Sequence, residues 1–282
     1  MRNVEKGRVL PVDNNKKVDA CSQGRNFITR HRLKQCQFIL NPYELLNSKI
    51  SGIKVSNGGN VCMIRIDREA KYCEAHEICV QEGKKRGLRL FIPGNNAPKM
   101  HSLFSDFETV FTSYSAMLNR SNDLRAGWRV GDPGYAGFVS TSDDTTIPWQ
   151  ENQPNSIIQS IALYNRRQLY DDWQVAYKAT SVICEISHRP TGASVERFQT
   201  NWPYHLDNLF VKSNIKSGCF YKVKVPTLIT CAKECKRITE CCSLYFNKQR
   251  RECLLSLYVD CLLPLELADK NGAWVRFGRP DW

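Results

Sequence analysis

Thirteen cysteines in 282 residues constrain this chain more than any other feature. They form two groups: Cys21, Cys36, Cys62, Cys73 and Cys79 in the first, and Cys219, Cys231, Cys235, Cys241, Cys242, Cys253 and Cys261 in the second, with Cys184 between. Structural zinc asks for short paired Cys spacings with a second pair or a nearby His. Only Cys231-x3-Cys235 comes near that pattern, and none of His31, His76, His101, His188 or His205 is close to it in sequence. The pattern predicts disulfides formed in an oxidising compartment. An odd number leaves at least one thiol over, free or bonded to another chain.

An extracellular chain is therefore expected. The first residues, Met1 to Gly7, hold no apolar leader run, so the expectation is a truncated start or a fragment of a longer secreted protein. No stretch of 18 apolar residues occurs, so no membrane-spanning helix is expected. The formal net charge is +12, unevenly spread: residues 101–190 hold ten acids against seven bases, and the flanking segments are basic. Basic doublets recur at Lys16-Lys17, Lys84-Lys85-Arg86, Arg166-Arg167, Lys236-Arg237 and Arg250-Arg251. They are solubilising charge or contacts for sulfated, anionic glycans. Nucleic acid is not an expected partner.

Organisation follows from periodicity and punctuation. Residues 1–20 read as a polar tail, 21–60 as a basic Cys-containing segment, 61–188 as one domain, 189–213 as a linker, and 214–282 as a compact Cys-rich domain. The spacing predicts a strand over 61–66, a helix over 68–86 stopped by Gly87, and a strand over 88–92. It predicts a second helix over 103–118, since Phe104, Phe107, Val110, Phe111 and Tyr114 recur at helical intervals. Strands are expected on either side of residues 142–145 and over 157–163 and 181–186. Asn119-Arg120-Ser121 is a glycosylation acceptor sequence.

Cys62-Met63-Ile64-Arg65, Tyr72-x2-Ala75-x3-Cys79-x7-Gly87, Phe138 to Asp143 with Trp149, Gln153-Pro154-Asn155 and Val182-Ile183-Cys184-Glu185 occur in an order that resembles a C-type lectin-like domain. The resemblance covers about 125 residues and implies an α+β fold of two helices, antiparallel sheets and long loops. It implies a Cys79–Cys184 disulfide. The family's second disulfide is missing, with Ser160 and Ala176 near the positions of its partners. It also implies a ligand-binding loop at Gln153, Pro154 and Asn155, with a cis bond before Pro154, and with Asp171 and Asp172 of Tyr170-Asp171-Asp172 standing where the family has Trp-Asn-Asp. Calcium would then be held by Gln153, Asn155, Asp171 and Asp172. The acid that the family places after its Pro motif is absent from residues 156–160. Gln153 matches galactose-type members and Asn155 mannose-type ones, so no sugar is selected.

Cys231 and Cys235 share one helix face at i and i+4. Residues 243–246 and 252–255 read as a hairpin around Lys248-Gln249-Arg250-Arg251. This segment resembles a PAN/apple domain, a helix stapled to an antiparallel hairpin sheet. The resemblance implies Cys231–Cys253, Cys235–Cys241 and an outer Cys219–Cys261 bridge, leaving Cys242 over. Pairing among Cys21, Cys36, Cys62 and Cys73 stays open.

No nucleophile-elbow, P-loop or complete zincin motif is present. His76-Glu77 lacks a second His, and Asp143/Asp144 and Asp171/Asp172 are neighbours whose side chains diverge rather than face. A binding protein is expected, not an enzyme. Its partners are glycans or glycoproteins met at residues 153–155, 171 and 172; other extracellular proteins met without sugar or calcium; or sulfated glycans met by basic patches.

Overall fold

The computed structural model describes residues 53–58, 61–105, 107–118, 122–187, 196–212, 218–268 and 273–282. Cys21, Cys36, Asn119, the polar tail and most of the basic segment before residue 61 lie outside them. The described chain is α+β, with few helices and three four-stranded sheets. No helix among the described residues is long and apolar enough to cross a membrane.

The first sheet has strand order β1-β2-β8-β3, from β1 (Ile53–Gly58), β2 (Val61–Ile66), β3 (Leu90–Phe91) and β8 (Val182–Ile186). Helix α1 (Tyr72–Lys85) packs on it through Tyr72, Ala75, Cys79 and Val80, the face expected from 3.6-residue spacing, and through Ile78. The disulfide Cys79–Cys184 joins α1 to β8, the pair named from the sequence. Cys62 is also disulfide-bonded. A short helix α2 (Met100–Leu103) follows β3.

The second sheet, β5-β4-β6-β7, consists of β4 (Val110–Ser115), β5 (Arg129–Val130), β6 (Ile161–Asn165) and β7 (Gln168–Asp172). The helix expected over 103–118 is not formed. Residues 110–115 are a strand buried on both faces, and a strand of that kind loses the alternation that would distinguish it from a buried helix. The strands expected beside 142–145 are also absent: Asp144 Oδ1 instead accepts from the backbone N–H (2.8 Å) and hydroxyl (2.6 Å) of Thr146, closing a turn. The buried strand expected from 157 begins only at Ile161. The β6–β7 turn places Arg166 (φ 45°) and Arg167 (φ 73°) in the left-handed region. A type I′ hairpin turn requires this of both central positions, and Asn-Gly would suit it better.

The third sheet has the order β12-β10-β11-β9, from β9 (Phe220–Lys224), β10 (Cys241–Asn247), β11 (Glu252–Leu257) and β12 (Trp274–Gly278). Helix α3 (Leu228–Arg237) is capped by the Thr227 hydroxyl, which accepts from Thr230 N–H at 3.2 Å. Cys231–Cys253 and Cys235–Cys241 staple α3 to the hairpin, as named from the sequence. Residues 196–212 lie against this sheet. Gln199 bridges Gly278, Phe210 bridges Leu263, and the Arg276 guanidinium donates to Trp202 O at 2.6 Å.

The outer Cys219–Cys261 bridge is not formed. Cys219 is bonded to Cys73 on α1, while Cys261 and Cys242 are both free and buried. Among the described residues, Cys261 is therefore a free thiol beside Cys242, the one expected to be left over. The reason is tertiary. The third sheet packs against the first half of the molecule, so one core contains Ile64 and Tyr72 together with Cys219, Tyr258, Val259 and Cys261. That packing brings β9 to the start of α1. Gln174 locks the junction, accepting from Gly218 N–H at 2.6 Å and donating to Gly218 O at 3.3 Å. Cys261 Sγ instead lies 3.0 Å from the Ser256 hydroxyl, and burial pushes its thiol up to about 12.

The seam is close-packed and polar. Arg129 reaches Asp260 at 2.8 Å, Arg276 reaches the same carboxylate at 2.5 Å, and the Tyr258 hydroxyl bonds Glu77. A Cβ on Gly131 would lie 2.5 Å from Tyr258 O, so only glycine permits this approach.

Candidate functional site

The β6–β7 register places Asp171 opposite Ala162 and Asp172 opposite Ile161, at the end of the hairpin away from Arg166-Arg167. The loop that precedes β6 folds back over this end. Gln150 N–H donates to Leu169 O at 3.0 Å, Leu169 N–H to Pro148 O at 2.9 Å, and Gln153 N–H to Gln150 O at 2.9 Å. The Gln153–Pro154 bond is cis.

Asp171 fixes the loop. It is 5% exposed, and its two carboxylate oxygens accept from Asn155 N–H and Ser156 N–H, each at 3.1 Å. Its own N–H donates to the Gln153 side-chain oxygen at 3.4 Å. The structure thus brings Gln153, Asn155, Asp171 and Asp172 together, but in different capacities. Asp171 is buried and, with Gln153, holds backbone, whereas Asn155 is exposed and Gln153 and Asp172 are half-buried. Asp172 Oδ1 accepts from Trp173 N–H at 2.6 Å, and its carbonyl accepts from Ser160 N–H at 3.1 Å.

Two further features border this surface. Residues 157–159 are held at both ends, by the Ser156–Asp171 and Ser160–Asp172 bonds, and present Ile157 (57% exposed) and Ile158 (41%) to solvent. Trp173, 41% exposed, follows directly on Asp172. Sequence reasoning passed over Trp173, although a tryptophan next to paired aspartates at the end of a strand was a readable signal.

The donor set does not fit calcium. The ion takes six to eight oxygens, with carboxylates supplying charge. Asp171 commits both oxygens to the loop backbone, residues 156–160 supply no acid, and Asp172, half-buried, is the other carboxylate of the set. Among the described residues no group of three or more His, Cys, Asp or Glu converges.

The remaining polar groups serve structure. His76 is buried and stacks on Tyr258 with ring centroids 4.9 Å apart, and burial lowers it to about 3, so it stays neutral. Asp132 accepts from Gly94 N–H, Asn95 N–H and the Ser113 hydroxyl at 2.8, 2.9 and 2.6 Å. Glu185 accepts from the Asn96 amide at 2.7 Å, and burial together with the Asp132 charge pushes it up to about 8.

No family model and no curated protein matches this chain. Among solved structures it is similar to the C-type lectin CEL-I from Cucumaria echinata, at 13% identity and a TM-score of 0.36 over 48% of this chain and 96% of that one. The EPNH mutant of CEL-I is similar at 12% identity and a TM-score of 0.36, over 48% of this chain and 95% of that one.

Proposed function

We propose that this chain is an extracellular glycan-binding protein that recognises sugar without calcium at the surface formed by Asn155, Asp172 and Trp173. One observation carries the reading: an exposed indole follows directly on Asp172 at the end of β7, where buried Asp171 holds the backbone of the loop that carries exposed Asn155. A sugar has a hydroxyl rim and apolar C–H faces. An exposed ring covers such a face, and fixed polar groups orient the hydroxyls. Rigidity matters because a loop ordered before binding does not lose that entropy on association. The disulfides support an oxidising compartment. The first two sheets form the C-type lectin-like part of this reading, and the third sheet with α3 forms a PAN/apple-like part that lacks the outer bridge.

A second reading, adhesion to another protein, is favoured by Ile157 and Ile158, because exposed aliphatic side chains suit a protein surface better than a hydroxylated ligand.

A glycan array on the oxidised full chain, with and without chelator, separates the readings. Glycan binding that survives the chelator and is lost in Trp173→Ala is expected. Binding abolished by chelator would restore a calcium site. Absence of glycan binding, with a protein ligand lost in Ile157→Ser/Ile158→Ser, would establish adhesion instead.

A further inference from the structure

We infer that the end of the third sheet carrying the β10–β11 turn is a separate binding surface for a sulfated polysaccharide. The register sets Lys224 opposite Glu252, and Glu252 opposite Asn247, where the turn begins. Val225 N–H donates to Arg251 O at 2.9 Å, which ties the end of β9 to the turn. Lys222, Lys224, Lys248, Arg250 and Arg251 therefore converge on one end, all exposed. Strands β9, β10 and β11 and the turn carry a single acid, Glu252, which is engaged by Lys222 at 2.8 Å. Neighbouring strands lie about 5 Å apart, and alternate residues along a strand about 7 Å apart. The cations thus form a fixed array rather than scattered charge, suited to a linear polymer with repeated anionic groups.

The turn itself points the same way. Arg251 has φ 50°, a conformation that glycine or asparagine adopts at less cost. Its guanidinium makes no hydrogen bond or ion pair with the described residues, so the arginine brings the fold nothing that offsets the strain. The cysteine chemistry places the chain where sulfated glycans, and not nucleic acids, are the abundant polyanions. The turn belongs to the third sheet and Trp173 follows β7 of the second, so this inference stands apart from the reading above.

The test uses the oxidised full chain with heparin as probe. Lys224→Ala/Lys248→Ala is expected to weaken heparin binding about tenfold at about 0.15 M salt and to flatten its salt dependence. Lys84→Ala/Lys85→Ala, which removes the same charge from exposed positions at the end of α1, is expected to change binding less than about twofold. Arg251→Gly should lower heparin affinity while raising the melting temperature, a combination that a merely structural arginine would not give. Trp173→Ala should leave heparin binding unchanged. Equal losses in the two double variants would reduce the effect to net charge and overturn the inference. So would competition by single-stranded RNA, or by equimolar phosphatidylserine–phosphatidylcholine vesicles, that exceeds competition by heparin.

Discussion

Cys73, on the second residue of α1, is bonded to Cys219, 146 residues further on at the edge of the third sheet. This bond joins the two halves of the molecule, and it occupies the cysteine that the PAN/apple resemblance assigns to Cys261. In the chain-entropy account, closing a loop of that length contributes roughly 4–5 kcal/mol. Non-reducing peptide mapping should recover Cys73–Cys219, with Cys242 and Cys261 alkylated only after denaturation. Recovery of a Cys219–Cys261 peptide would refute the junction described here.

Asp260 is held between Arg129 and Arg276 and also accepts from the Ser243 hydroxyl at 2.7 Å. Burial pushes its carboxyl up, but the two guanidinium groups outweigh this and leave it below the usual carboxylate range. Its contribution is therefore present above the unfolded value near 4 and is lost as pH falls through the lower folded value. Asp260→Asn strands two buried cations and should cost about 3–5 kcal/mol in denaturant unfolding. A loss below about 1 kcal/mol would mean that the seam is wetter than described.

Glu185 gives a pH dependence of opposite sign. Its folded value, pushed up to about 8, exceeds the unfolded one, so the folded state holds a proton that the unfolded state has released. Stability is fully present below about 4.5 and is lost as pH rises through about 8. Between pH 7 and 9 the melting temperature should fall more steeply in the native protein than in Glu185→Gln. The substitution retains the oxygen that accepts from Asn96. Parallel slopes would show that Glu185 ionises freely.

The Arg166-Arg167 turn should be improvable. Arg166→Asn/Arg167→Gly supplies the residues that a left-handed pair favours and should raise stability by about 1 kcal/mol. Thermal unfolding checks this, and a lower melting temperature would show that the arginines make contacts that outweigh the turn.

Much of the local structure was readable beforehand because it obeys local rules. Helix α1 follows from Tyr72, Ala75 and Cys79 at helical spacing, and α3 with its two staples from Cys231 and Cys235 on one face. The strand at 110–115 was misread because burial on both faces removes its period. In the candidate site, the lectin-like resemblance put Gln153, Asn155, Asp171 and Asp172 in one region. It could not show that Asp171 turns inward to bind backbone, since that depends on which side of β7 faces the core.

By itself, the sequence determined the two cysteine clusters and helices α1 and α3, which rest on spacing within a few turns, while the two short-range disulfides followed from the PAN/apple resemblance. The tertiary structure alone decided that Cys219 meets Cys73, that Cys261 stays a thiol, and that Trp173 is exposed beside the loop held by Asp171. Those outcomes depend on how the third sheet packs against α1 and the first sheet, and on how the loop closes over β7. These contacts join residues far apart in the chain, and no local periodicity encodes them.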